Sequence, residues 1–293
     1  MNPHSPRIEL LEIYGPNVTT TEGKTYRFHV RIVAPPFADG SGANDLVWNE
    51  TKLQTRRLMA SWHSQTSSSV QLDINGLTLA VIAKAGFGQE LEWTANSGRS
   101  EKPIPTGHTI SFLEAMTSTM VYMIPVLLLP RWLMYMSPLR KAAIAHREFE
   151  KYVREMIRNE KRKISESKRY ESASARGNLL TSVLQASADH AIAAAKSDDV
   201  TTRKQAFTEN EVMGNLFLYL LAGYETTANS ILYGLICLAL HSDIQDNVVA
   251  EVDRIHVQAA EQGRSELTYA DDFDKFEYTY GFMVRCIATP SSI

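Results

Sequence analysis

Hydrophobic and polar positions divide the chain into stretches of different period. From Tyr26 to Val33 apolar and basic residues alternate, which on pattern alone predicts a strand. Asn49 to His63 is helical in period and mixed in charge. Leu77 to Ala85 is a short, densely apolar run closed by Gly86-Phe87-Gly88, which predicts a helix with a glycine stop. Asn96 to Thr109 is loop-like, and Leu179 to Leu184 a short apolar helix. Ser165–Gly177 and Ala186–Gln205 are polar, rich in Ala and Ser, and weakly patterned.

Two helices are announced more firmly. Ser137-Pro138 predicts an N-cap followed by Pro at the first helical position. In the segment it opens, Phe149, Val153 and Ile157 recur at i, i+4, i+8, so one face is apolar. Between Arg140 and Arg169 stand eleven Lys/Arg against five Glu, a local basic excess whose simplest reading is a solvated face. The second helix starts at Thr208, where Thr208 and Glu211 have capping-box spacing. After Glu211 the next charged residue is Glu225, and after that Asp243, so this helix is expected to run through the middle of a large helical body.

A lone carboxylate inside such a helix is costly unless satisfied. Two readings of Glu225 stand level on physical grounds. Beside Thr226 and Thr227 it is an acid–hydroxyl chain able to carry protons in a dry site. It is equally a structural carboxylate bonded to Asn229 one turn on. Gly223 removes a side chain from one face, so another body can approach the backbone there.

Composition narrows the class. The chain has 293 residues, 44% hydrophobic and 22% charged, with 15 Gly and 11 Pro, which excludes wholesale disorder and leans towards helix. A net charge of −3 gives no basic field for nucleic acid. Two cysteines exclude a disulfide scaffold and fit a reducing compartment. The start, Met1 to Pro6, has no apolar core of a secretory signal. Ala115 to Pro130 is uncharged but too short to span a bilayer, and Pro125 interrupts it. Length favours a core or loop segment; the alternative is a monotopic surface patch with Trp132 and Tyr135 at headgroup level. The histidines show no i, i+4 pair, and no metal site is read. P-loop, G-x-S-x-G and H-E-x-x-H signatures are absent.

Ala222-Gly223-Tyr224-Glu225-Thr226-Thr227 resembles the A/G-G-x-D/E-T-T motif in the long central helix of cytochrome P450 monooxygenases. Four further segments are similar to that family in the right order: Lys24–Phe37, Leu77–Gly88, Thr208–Glu211, and Leu238–Gln245 with Glu251-Val252. Lys24–Phe37 is similar to the helix holding the family's W-x-x-x-R motif, so the resemblance replaces the strand with a helix. The resemblance covers about residues 8–283, with 284–293 a divergent tail, and implies one partial, mainly α, cytochrome P450-like domain over 1–293, incomplete at both ends.

What the family does is then implied residue by residue. Ala222 and Gly223 would give haem and O2 room, Thr226 would hydrogen-bond the bound oxygen, and Glu225 would belong to the proton route. The partners implied are a small apolar organic substrate, O2 and an NADPH-dependent reductase. Peripheral membrane contact on the cytoplasmic side of the endoplasmic reticulum is implied as well. The departures are specific. Tyr26 stands at the tryptophan position and Val30 at the arginine position, leaving His29 or Arg31 as stand-ins for a haem propionate contact. At the E-x-x-R helix Arg285 takes the glutamate's place and Ala288 the arginine's, and the cysteine loop that ligates iron is absent. Cys237 reads as a buried structural thiol, and Cys286 lacks the glycines and basic context of a haem loop. The expectation is a haem-thiolate monooxygenase by family, truncated and inactive as this chain. The competing expectation is a non-catalytic helical remnant that binds an apolar ligand or a partner.

Overall fold

The computed structural model describes residues 10–38, 40–64, 69–91, 103–169, 177–195 and 206–288. Among them there are twelve α-helices and no strand: α1 Gly23–Val33, α2 Ala43–Ser64, α3 Val70–Phe87, α4 Phe112–Val121, α5 Met123–Leu128, α6 Arg131–Tyr135, α7 Arg140–Arg169, α8 Leu179–Ala195, α9 Glu209–Leu240, α10 Ser242–Glu261, α11 Tyr269–Asp272 and α12 Glu277–Ala288.

The long α9 is the spine. It packs most extensively on α3, which in turn packs on α2, while α4 lies along α7. α3 can sit between two partners because its apolar residues fall on nearly every side, and Leu77, Leu79, Ala80, Ala83 and Phe87 are all buried. Its ends are sharply defined. Ser69 Oγ accepts from the Leu72 amide, and Gly88 closes the helix at φ 69° with its amide on the Lys84 carbonyl. The main core joins α1, α3, α4, α7, α8 and the first half of α9 through residues such as Ile32, Phe87, Met116, Phe149, Val183 and Phe217.

The structure sharpens four sequence expectations. The 26–33 alternation belongs to a helix, as the family resemblance implies: α1 buries His29, Ile32 and Val33 at i, i+3, i+4 and leaves Arg27 and Arg31 outside. The short helix at Leu179 runs on to Ala195, and in its added turns buried Ser187 accepts the Phe207 amide at 2.8 Å. The uncharged stretch at 115–130 forms α4 and α5, and Pro125 is tolerated as the third residue of α5, where its missing N–H has no intrahelical partner anyway. α7 begins at Arg140, two residues after Pro138, with Ser137 Oγ accepting the Leu139 amide at 3.2 Å.

The connection entering α4 is clamped to α7. His108 Nδ1 lies 2.8 Å from Glu148 and Nε2 3.1 Å from Glu155, and the ring stacks on Tyr152 at 3.6 Å. Burial alone would push the Glu148 carboxyl up; the hydrogen bonds from His108 and Thr109 outweigh it and hold the group below its ordinary value.

α12 is capped by another helix. Glu251 of α10 accepts the amides of Tyr278 and Thr279 at 2.7 and 2.8 Å and the Thr279 hydroxyl at 2.7 Å. Burial pushes Glu251 up, but these bonds, with Arg254 nearby, prevail and lower it. Asp272, fully buried, is lowered by a two-pronged pairing with Arg264 at 2.6 and 2.8 Å, helped by Lys275 and the Thr268 amide. Both carboxyls titrate lower folded than unfolded. Their stabilisation is therefore full above the unfolded carboxyl value of about 4 and is lost as pH falls through the folded values. Glu251→Gln is expected to cost about 1–2 kcal/mol at pH 7 and to shrink the loss of stability on acidification, measured by urea melts between pH 7 and pH 3.

Candidate functional site

α9 differs between its halves. From Glu211 to Phe217 every residue is buried, and so is Leu220. Around the sequence motif the helix opens: Ala222, Glu225, Thr226, Thr227 and Asn229 are exposed. One row still packs, with Ala228 buried against Leu58, Ile74 and Leu77.

The buried half is fixed by a polar network. Thr208, in extended conformation, accepts the Glu211 amide at 3.2 Å, and Glu211 Oε2 accepts the Thr208 amide at 2.9 Å, completing the predicted capping box. The other Glu211 oxygen, Oε1, lies 3.2 Å from His29 Nε2. Asn215 Nδ2 lies 3.2 Å from His29 Nδ1, and Asn215 Oδ1 accepts the Val18 amide at 3.0 Å. The Val18 amide fixes the Asn215 orientation, so Nδ2 must donate. His29 Nδ1 then accepts, leaving Nε2–H to donate to Glu211. His29 thus joins α1 to the base of α9 with both ring nitrogens engaged and its side chain fully buried.

Of the residues singled out from sequence, Ala222, Gly223, Glu225 and Thr226 share little more than one turn of α9. His29 and Arg31 are not brought to that turn. Asn215, which His29 touches, lies about 10 Å along the axis from Ala222. His29 has no ring nitrogen left for a propionate. Arg31 is exposed and its guanidinium lies 3.4 Å from His190 of α8. Gly223 also serves a different purpose: a Cβ there would sit 2.7 Å from Ile82 Cδ1, so its missing side chain admits α3. Ala222 alone supplies open space. The burial argument for Glu225 fails, since the side chain faces outward, and with Asn229 equally exposed the buried structural carboxylate loses its premise. Burial and then the Glu225 charge raise the adjacent Tyr224 phenol.

Thr226 Oγ1 donates to the Ala222 carbonyl one turn back, and Ser230 Oγ donates to the Thr226 carbonyl at 2.8 Å. As it stands, Thr226 presents acceptor lone pairs to the open face and its proton to the backbone. To give that proton outward it must release Ala222. Sequence reasoning missed the network of His29, Glu211 and Asn215. Its one legible trace was Glu211 at capping-box spacing.

Cys237 and Cys286 are both buried in one cluster with Phe282, away from the open turn. Among the described residues, no three His, Cys, Asp or Glu side chains gather where a metal ion could be held.

The cytochrome P450 family model matches residues 8–279. A cytochrome P450 monooxygenase designated ORF6 from Penicillium roqueforti is 55% identical over 278 residues, covering 94% of this chain and 47% of its own length. The monooxygenase prx9 of Penicillium rubens is 55% identical with the same coverage. Monooxygenase 124 of Postia placenta is 27% identical, covering 95% of this chain and half of its own. The crystal structure of the cytochrome P450DA haem domain superposes with a TM-score of 0.64 at 18% identity, over 96% of this chain and 53% of that one, a likeness of fold. The chain spans about half the length of the curated relatives it matches.

Proposed function

Because this chain belongs to the cytochrome P450 family, we propose that it forms the oxygen-facing wall of a haem-thiolate monooxygenase acting on a small apolar organic substrate. The observation that carries the reading is the open turn of α9, where Ala222 leaves space beside an exposed acid and hydroxyl, Glu225 and Thr226. Family membership implies haem as cofactor, and when bound it supplies the oxygen chemistry. The residues present fit one side of such a group and not the other. The chain's two cysteines are both buried in the α9–α12 seam, so neither offers the iron a thiolate, and no oxygen-activating step is assigned to this chain alone.

On this reading, Glu225 and Thr226 hold and pass protons at the open turn. Ala222 sets the approach distance, and Gly223 contributes by letting α3 pack behind the wall. O2 and an NADPH-dependent reductase are the remaining partners of the whole protein. The burial of both cysteines in the α9–α12 seam supports a second reading, a non-catalytic helical protein that binds an apolar ligand or a partner.

The carbon monoxide difference spectrum separates them. The 293-residue chain alone is expected to give no thiolate-type Soret band. Co-expressed with the complementary C-terminal half of the Penicillium roqueforti relative, it is expected to give one. Failure of the two-part protein to retain any haem would sink the monooxygenase reading, and a thiolate-type band from the chain alone would sink the second.

A peripheral membrane contact, of the kind expected at the endoplasmic reticulum, is supported by the surface around α5 and α6. Val121, Ile124, Leu128, Trp132 and Met136 are exposed there, while Val126 and Met134 anchor the segment on Ala142 and Ala143. Among the described residues no helix is long and apolar enough to cross a membrane. Trp132→Glu should lower partition into phospholipid vesicles by roughly fivefold or more in a flotation assay, without changing the far-ultraviolet spectrum.

A further inference from the structure

Cys237 lies in the last turn of α9 and Cys286 in the last turn of α12, and the chain has no other cysteine. Both residues are buried, 4% and 3% exposed, in one cluster with Phe282, partly covered by Tyr233, Leu238, Ile244 and Met283. Gly234 stands on the seam, facing α12 at ordinary contact distance. A Cβ built there would meet Met283 Sδ at 3.4 Å and Phe282 Cε1 at 3.7 Å. One helical turn beyond Gly234 stands Cys237, and one turn beyond Phe282 stands Cys286, so the two contact rows carry both cysteines into the same buried seam. Burial raises the Cys286 thiol first, and Cys237, as a charge neighbour and hydrogen-bond partner, raises it further.

Two thiols packed together inside a seam between helices are the reduced form of a cross-link. We propose that Cys237 and Cys286 are an oxidation site that closes to an intramolecular disulfide with hydrogen peroxide as the two-electron oxidant. One sulfur attacks the peroxide, breaking its O–O bond; it becomes a sulfenic acid and the first water leaves. The second thiol then displaces hydroxide from the sulfenic sulfur, the S–S bond forms, and the thiol proton joins the hydroxide as a second water. Two thiols and one peroxide give one disulfide and two waters. Burial and the raised Cys286 thiol make the thiolate scarce, so closure is slow. The bond ties the two helices together and encloses α10 and α11 in a covalent loop. The inference stands apart from the haem reading.

The test uses the reduced 293-residue chain in native buffer, treated with hydrogen peroxide, quenched with N-ethylmaleimide and weighed intact. The expected product is a monomer lighter by about 2 Da with neither cysteine alkylated, and a tryptic peptide pair joined through Cys237 and Cys286. Cys237→Ser and Cys286→Ser should each abolish that product. Thiols that are still fully alkylatable when denaturant is added after the peroxide treatment would overturn the proposal. So would separate gains of about 16 Da on each sulfur, or dimers linked between chains.

Discussion

Glu211→Ala is expected to destabilise the fold by about 3–4 kcal/mol, the larger of two strong effects. Two losses combine. The capping box at Thr208 disappears, worth about 1 kcal/mol, and the buried Nε2–H of neutral His29 loses its Glu211 acceptor, a loss of about 1–3 kcal/mol. The two do not add fully because both act through one carboxylate. Urea melts followed by circular dichroism would measure the loss. A double variant, Glu211→Leu with His29→Leu, should recover part of it by removing both polar partners at once. A cost below about 1 kcal/mol for Glu211→Ala would mean that the network does not hold α1 to α9.

Gly214→Ala comes next, at about 3 kcal/mol. An added Cβ would run into the Gly15 carbonyl oxygen and lie 2.8 Å from both the Gly15 carbon and the Pro16 oxygen. These are backbone atoms, which cannot swing aside as the end of Ile82 could at Gly223. Gly15 is itself constrained, with φ +132° and its own α-hydrogen side against the Asn210 backbone. The segment before α1 and the first turns of α9 therefore meet glycine against glycine. Forcing them apart would also strain the bond from the Val18 amide to Asn215. A thermal melt lowered by several degrees checks the prediction, and normal stability would show that the N-terminal segment can shift freely.

How much of this was legible beforehand depended on how local the signal was. The capping box needs two residues three apart, and it was found where predicted. The glycine stop at Gly88 was equally local. The family motif at 222–227 could be placed on a helix, and the chain's family membership agrees with it. What failed was whatever depended on distant neighbours. An apolar helix was expected to run through the middle of the body, yet exposure is decided by what lies against it, and no described residue covers Glu225 and Thr226. His29 was read as a stand-in for a propionate contact because it flanks the family's arginine position, and a lone histidine carries no mark of its partners. Those partners lie 182 and 186 residues away. The alternation at 26–33 misled because eight residues fit two periods, and distant residues packed against α1, among them His190, Phe207, Glu211 and Asn215, decide between them.

The division of α9 has a consequence in time as well as in space. The helix is 32 residues, about 48 Å, of unbroken backbone. Its amides up to Leu220 are locked in the main core and should exchange with solvent only when the whole fold opens. From Ala222 onward the fully buried positions thin to Ala228, Gly234 and Cys237, held on different sides by different neighbours, so its amides should exchange through brief local openings. One continuous rod would then keep two clocks, a slow one at its root and a fast one in the turn that carries Glu225 and Thr226.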